Sequence, residues 1–500
     1  PDSMGILMTF KYDNVNLMDF QRIDELHDIG YNRTISMMDS IKSRIHRRVN
    51  LDNIRLRRMV YRSNFPELRF KNIIIDGANP QQQAYMKKEF HKSDNKEFTY
   101  EDLKQGYFRL LSDKMISEII PHAIYNPEDD TYDLHLKVKL ENNFAVRLGG
   151  NISTSNSNQI YLGLSYQDLN YYAKEFILDG QLGKVYNNVQ FMAKIDFATA
   201  IPTSYRLIGS ISTFDYFKKD KLFSRNNKPA FNQKDERFLK LQVGLPFLSS
   251  KRAEFGVGIA RIEDKYFQKS VIDFGNDKFD KSRYDLFGGS ISFNGSTLNS
   301  KQYPTRGYRE ALVAQNFVGK ARFYPGEGST TSNNKDHHSW LQLSYMKEKY
   351  HNMSEHWVLG WYLKALYASK NFSENYTATM MQAGEFSPTL HSKLTYNEAF
   401  RANQFVGAGI RHIYRFSQMF HLRGEYYGFM PIYPIEKNSL NKAYYGKAFS
   451  KFEYLGEISV VCQLPFGDIS AYVNHYSSPK REWNVGLSIG LQLFNYRFIE

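Results

Sequence analysis

From Trp483 to Leu493 the chain alternates without a break. Trp483, Val485, Leu487, Ile489, Leu491 and Leu493 are apolar, and Asn484, Gly486, Ser488, Gly490 and Gln492 between them are polar or small. Period two is the signature of a strand, which turns successive side chains to opposite faces. A tilted strand needs roughly ten residues to cross a bilayer. With one face greasy throughout and the other wettable, this segment suits lipid outside and a wet lumen inside. Few folds can use such a strand except a closed transmembrane barrel, because an open sheet edge cannot be satisfied in hydrocarbon.

Composition agrees. Hydrophobic residues make up 42% of the 500 and the mean hydropathy is −0.53. No apolar run reaches the roughly eighteen residues of a membrane helix, which excludes a helical membrane protein. The 36 Tyr and 37 Phe are enough to form aromatic girdles at both interfaces of a barrel. A large soluble β-protein is the alternative. The single cysteine, Cys462, excludes an internal disulfide and a cysteine metal site. Its alternating neighbours Ile458, Val460 and Leu464 put it on the lipid face. The net charge of +13 is spread along the chain, often on the polar parity of strands, so it points to a lumen lining or an anionic membrane surface rather than to nucleic acid.

Residues 1–60 do not alternate. Gly5–Phe10 reads as a short buried strand, and Leu17–Ile29 and Arg33–Arg47 read as helices separated by Gly30-Tyr31-Asn32. Residues 61–142 form an α+β unit in the order β-α-α-β-β. Its strand Leu68–Ile75 ends at Asp76-Gly77, its helices are Gln81–Phe90 and Tyr100–Leu111, and its hairpin is Met115–Tyr125 with Thr131–Glu141. Thr99 with Asp102 three residues on predicts a capping box for the second helix. From Phe144 the period is two and stays two. Sixteen alternating segments fall near 144–154, 159–168, 172–185, 188–200, 203–217, 235–248, 252–264, 283–296, 306–320, 337–350, 355–369, 403–416, 419–432, 448–464, 467–477 and 481–498. Short links alternate with long ones (218–234, 265–282, 324–336, 370–402, 433–447), the asymmetry of periplasmic turns and outer loops. The fold class expected is therefore mainly β, a sixteen-stranded transmembrane antiparallel barrel over residues 143–500. In its first strand, Gly149-Gly150 weakens local pairing and marks the seam with the last strand as the weak joint.

Two motifs suggest catalysis and neither has the right setting. Gly486-Leu487-Ser488-Ile489-Gly490 fits G-x-S-x-G, but a nucleophile needs a strained strand-to-helix turn and Ser488 lies in mid-strand. Asp76-Gly77-Ala78 fits a D-G-A dyad motif, yet Gly77 there supplies the tight turn after a strand. No phosphate loop, H-E-x-x-H or cysteine pair occurs. No catalytic residue, cofactor site or metal site is expected in this chain.

Resemblances sharpen these readings. The aromatic ending Phe494, Tyr496, Phe498 resembles the C-terminal signal of bacterial outer-membrane barrel proteins. The α+β unit, through Phe70 and Ile73-Ile74-Ile75-Asp76-Gly77, resembles a POTRA domain, the periplasmic module of the assembly-insertase and two-partner-secretion superfamily. Met18-Asp19-Phe20, Ile23, Leu26 and Ile29-Gly30-Tyr31 resemble the closing segment of patatin-like phospholipases, which makes residues 1–60 a helical remnant of such a domain. In the superfamily an Arg in a V-R-G-F/Y loop motif enters the lumen and pairs with an acid on the thirteenth strand. Phe400-Arg401-Ala402-Asn403 is similar to that motif in part, so the resemblance implies a lumen-loop anchor made by Arg401 and Glu425.

Together these features resemble the C-terminal two-thirds of patatin-like outer-membrane phospholipases, the type Vd autotransporters. Pro1 with no Met or signal region fits the missing N-terminal part. The resemblance implies that the barrel anchors and translocates a fused lipid acyl hydrolase whose Ser/Asp dyad lies outside this chain. The alternative is an insertase or polypeptide secretion pore with no enzyme. Either would sit in the outer membrane with its POTRA in the periplasm. Its partners would be membrane lipids, periplasmic chaperones and assembly machinery, with phospholipid as substrate of the missing domain.

Overall fold

The computed structural model describes residues 6, 8–10, 12, 23–45, 50–63, 66–90, 97–154, 158–199, 201–216, 232–248, 250–268, 278–327, 329, 332–478 and 483–500. The chain divides into two compact units, residues 1–70 with 125–132, and residues 71–124 with 133–500.

In the first unit the helices are Ile23–Ser36, Met38–Arg44 and Leu51–Ser63, and none of the three buries a residue. The first runs unbroken through Gly30-Tyr31-Asn32, where the sequence reading placed a stop and restart, and the second begins at Met38 rather than Arg33. The Met18-Asp19-Phe20 part of the patatin-like resemblance lies outside the described residues.

The sheet of the α+β unit has the order Phe98–Thr99, Arg69–Asp76, Thr131–Leu140, Ile116–Asn126. The two-residue strand Phe98–Thr99 has no sequence signal of its own, since it is too short to alternate. The helices Pro80–Phe90 and Tyr100–Leu111 bury Tyr85, Met86, Phe90 and Leu110, and the sheet buries Ile73, Ile75, Leu134, Leu136 and Val138. The capping box is present, with the Thr99 hydroxyl accepting from the Asp102 amide (3.3 Å) and the Asp102 carboxylate from the Thr99 amide (2.9 Å). Gly77 turns with φ +89°, and a Cβ there would lie 2.1 Å from the Val138 carbonyl oxygen. That steric need explains the glycine without any chemistry.

Residues 144–490 form a closed antiparallel barrel of sixteen strands, each paired with its neighbour in sequence and the last with the first. They run from Phe144–Ser153 through Asn334–Asn352, the longest at 19 residues, to Trp483–Gly490. Every strand of the sequence reading has its counterpart. Closure follows from the pattern, because a strand with one lipid-facing side can leave no edge unpaired in hydrocarbon. Outward side chains such as Leu148, Ile152 and Ile160 are 81%, 74% and 72% exposed, although all are large and apolar. Their inward neighbours are polar or aromatic and buried, among them Gln181, Asn188, Ser210 and Gln242. Cys462 shares the outward parity of Ile458 and Val460 and is half-buried. Among the described residues no helix is long and apolar enough to cross a membrane.

The final strand corrects the sequence reading. It ends at Gly490, not near 498, and the alternation that continues to Leu493 is not a strand. Gly490 takes φ +117°, where a Cβ would sit 2.2 Å from the Gly150 carbonyl oxygen. Only glycine fits, and the turn it makes sends Leu491–Glu500 into the lumen. Phe498, placed at the end of the last strand by the sequence reading, is 2% exposed inside the barrel.

Candidate functional site

Three features meet in and around the lumen. They are an inward-folded loop, a cluster of wall charges and the seam.

The loop is Ser369–Asn403, which links the strands Trp357–Ala368 and Gln404–Arg415. Asn375 caps its helix Tyr376–Gln382 by accepting from the Ala378 amide (2.9 Å), while its own amide donates to the Tyr266 hydroxyl on the wall (2.8 Å). The two-residue strands Gly384–Glu385 and Arg401–Ala402 pair and close the loop on itself. Phe386 fills a wall pocket of Tyr362, Phe405, Tyr427 and Phe429. Gly407 makes that pocket, since a Cβ there would come within 2.2 Å of the Phe386 ring. Further along, His391 stacks on Tyr472 with ring centres 3.4 Å apart, and its Nδ1 lies 3.2 Å from the Glu457 carboxylate. The loop is thus fastened to opposite parts of the wall by packing and by buried polar contacts, the arrangement of a plug.

Arg401 lies within this plug. Its Nη2 donates to Glu385 (2.9 Å), its Nη1 donates to the carbonyls of Met381 and Ala383 (3.4 Å each), and its guanidinium sits 4.7 Å from the centre of the Tyr396 ring. All of these partners belong to the loop, so Arg401 ties the plug to itself.

Glu425 does face the lumen, on the inward parity of Phe420–Pro431. Its partners are Arg423 (2.8 Å), Arg411 (3.7 Å) and the Tyr427 hydroxyl. No ion pair joins Arg401 to Glu425 among the described residues. Arg411 also bonds Glu348 and Tyr350, and donates to the Pro388 carbonyl of the loop (3.5 Å). Arg423 donates to the Pro304 carbonyl of the link before Gly307–Tyr324 (2.9 Å). The wall therefore supplies cations to loop carbonyls, and Glu425 with Glu348 neutralises them. Arg411, Arg423 and Glu348 escaped the sequence reading. Their only signal there was a charged residue on the inward parity of a barrel strand.

A cavity of 1470 Å³ is lined by this cluster, by Pro388 and Lys393 of the loop, and by Lys364, Arg309 and Glu310. Among the described residues no group of His, Cys, Asp and Glu could hold a metal ion. Ser488 donates to Asn151 (2.6 Å) across the seam, and among the described residues no histidine or acid bonds its hydroxyl.

The seam is short. Ser488, Ile489 and Gly490 pair with Ser153, Ile152 and Asn151, and two further backbone bonds flank them (Thr154 to Leu487, 3.0 Å; Leu491 to Gly150, 2.7 Å). Other neighbouring strands pair over eight or more positions. Among the described residues Phe144–Gly149 have no ladder on this side, because the residues that would continue it have turned inward. Of the two seam glycines, Gly150 is the constrained one, with φ +149° and a Cβ position 2.2 Å from the Gln159 carbonyl oxygen. At Gly149 a Cβ would meet only ordinary contact, 3.7 Å from Tyr161.

No protein-family model matches this chain, and no curated protein sequence does. Solved structures do. The crystal structure of BamA from Haemophilus ducreyi lacking POTRA domains 1–3 is 13% identical, with a TM-score of 0.59 over 85% of this chain and 84% of that one. CdiB from Acinetobacter baumannii is 9% identical over 85% of this chain and 74% of that one, TM-score 0.49. CdiB from Escherichia coli is 11% identical over 85% and 76%, TM-score 0.48. At these identities the likeness is one of fold.

Proposed function

We propose that this chain is an outer-membrane barrel that inserts or exports other polypeptides, with residues 61–142 as a POTRA domain on the periplasmic side. The observation that carries this reading is the pairing of a plugged lumen with a seam held by three residue pairs. A passive porin needs an open lumen and uniform walls, whereas a polypeptide-handling barrel needs a joint that can part. The likeness to BamA supports the same reading. Its coverage of 85% of this chain is more than residues 143–500 alone would supply, which supports reading the α+β unit as part of the same architecture. The open edge Ile116–Asn126, with Ile120 and Ile124 exposed, suits addition of an incoming strand. Periplasmic chaperones and assembly machinery are the partners such a barrel would meet.

The reading in which the barrel anchors a fused lipid acyl hydrolase draws support only from the patatin-like sequence resemblance.

The test is reconstitution. Liposomes carrying the purified chain should fold a urea-unfolded outer-membrane barrel faster than liposomes carrying a plain porin. A disulfide between cysteines placed at Ile152 and Ile489, in a Cys462→Ser background, should abolish the gain until reduced. Equal rates with and without the chain would overturn the insertase form. Export of a co-expressed passenger, blocked by the same disulfide, would then decide for the pore.

A further inference from the structure

The segment Leu491–Glu500 lies in a groove on the inner wall, and the way it is held is selective. Much of its main chain is read by side-chain amides. Gln159 both donates to the Leu493 carbonyl (3.1 Å) and accepts from the Leu493 amide (3.0 Å). Gln315 does the same across two residues, donating to the Phe498 carbonyl (3.1 Å) and accepting from the Glu500 amide (3.0 Å). Gln302 accepts from the Gln492 amide, Glu236 from the Phe498 amide, and Gln342 donates to the Glu500 carbonyl. A glutamine amide offers the donor and acceptor pair of a neighbouring strand's peptide unit, so these contacts would accept an extended chain of nearly any sequence.

Two side chains add selectivity. The Phe498 ring sits 5.9 Å from Phe238 and 5.7 Å from Phe317 (centre to centre), and Trp340 lies behind Phe317. The floor of this pocket is glycine. A Cβ at Gly258 or Gly288 would meet the Phe498 ring at 3.0 or 3.2 Å. Two residues on, the Glu500 carboxylate accepts from Lys240 (3.0 Å), which is 5% exposed and has no other acid among its described partners. Emptied, the groove would hold an apolar hole and a buried unpaired ammonium, both costly. It therefore demands an occupant.

The resident occupant has somewhere else to go. If the last strand continued past Gly490 in register, Leu491 and Leu493 would stand opposite Gly150 and Leu148 on the lipid-facing parity of the first strand. Among the described residues the first strand's backbone before Gly150 lacks a ladder partner on that side. We propose that this groove is a binding site for an extended polypeptide segment with an aromatic residue followed two positions later by an acidic one, and that Leu491–Glu500 is its displaceable occupant. The inference deepens the polypeptide-handling reading and rests on it for its purpose. Its test measures binding alone, so either can fail without the other.

The probe is a fluorescein-labelled peptide of residues 491–500, amidated, titrated by anisotropy against the full chain in detergent. The unaltered protein, its groove filled, should bind weakly. Phe498→Ala frees the pocket without touching it and should bind one peptide per chain roughly tenfold tighter or more. Asn495→Ala/Glu500→Ala, which removes the bonds of Asn495 to Gln181 and Asn188 on the wall together with the Lys240 pair, releases the segment by a second route. Adding Lys240→Ala to either, or replacing the peptide's phenylalanine at 498 by alanine, should lose most of that gain. Peptide binding indifferent to these changes, or absent from both released variants while they keep heat-modifiable barrel migration, overturns the proposal. So does loss of the barrel in both, since the segment would then be a fixed structural part.

Discussion

Arg401 shows how a residue's place inside the lumen can be expected while its partner is not. The partial likeness of Phe400-Arg401-Ala402-Asn403 to the V-R-G-F/Y motif implied a lumen-loop anchor. The acid it meets is Glu385, sixteen residues earlier in the same loop, and nothing in the spacing of a folded loop announces such a pair. Breaking a buried ion pair by removing one partner costs about 3–5 kcal/mol. Arg401→Ala should therefore loosen the plug, raising single-channel conductance and protease cleavage between Gly384 and Phe400. A double-mutant cycle separates the partners. Coupling of Arg401 with Glu385 should exceed its coupling with Glu425, which answers to Arg411 and Arg423 instead. Unchanged conductance and cleavage in Arg401→Ala would mean that packing at Phe386 alone holds the loop.

At the scale of elements, period two located all sixteen strands because the membrane enforces it on every one of them. It failed where the backbone leaves the sheet. Leu491 and Leu493 keep the apolar parity of a strand whose direction has already changed at Gly490, and periodicity reports faces, not direction. The same applies to Phe98–Thr99, too short for any period. Helix Pro80–Phe90 carries a different consequence. Burial pushes the Glu89 carboxyl up, with Arg109 at 3.9 Å only partly opposing, and burial also raises Asp113. A carboxyl raised in the folded state favours folding while protonated. That contribution is present at acid pH and is lost as pH rises through the raised values. Resistance of this helix to proteolysis in urea should therefore be greater near about pH 5 than near about pH 8, and Glu89→Gln should shrink the difference. An equal or opposite slope would show that the Arg109 pair outweighs desolvation.

For the whole molecule the decisive quantity is the inequality of its joints. A ring of sixteen strands is as strong as its shortest ladder, and that ladder has three pairs beside others of up to seventeen. Opening should start there. The disulfide joining positions 152 and 489 should raise the temperature at which the barrel unfolds on a gel, while one joining Ala314 to Leu343, paired deep in a long ladder, should change it little. Similar shifts from both would put the first break elsewhere.

The unpaired stretch Phe144–Gly149 has one more effect. Its peptide N–H and C=O groups on that side cannot be left against acyl chains, where each unmatched group costs several kcal/mol. Either headgroups and water reach down to them or the leaflet dimples toward them. In a bilayer the lipid beside this joint should therefore be thinner and wetter than the lipid around the rest of the wall.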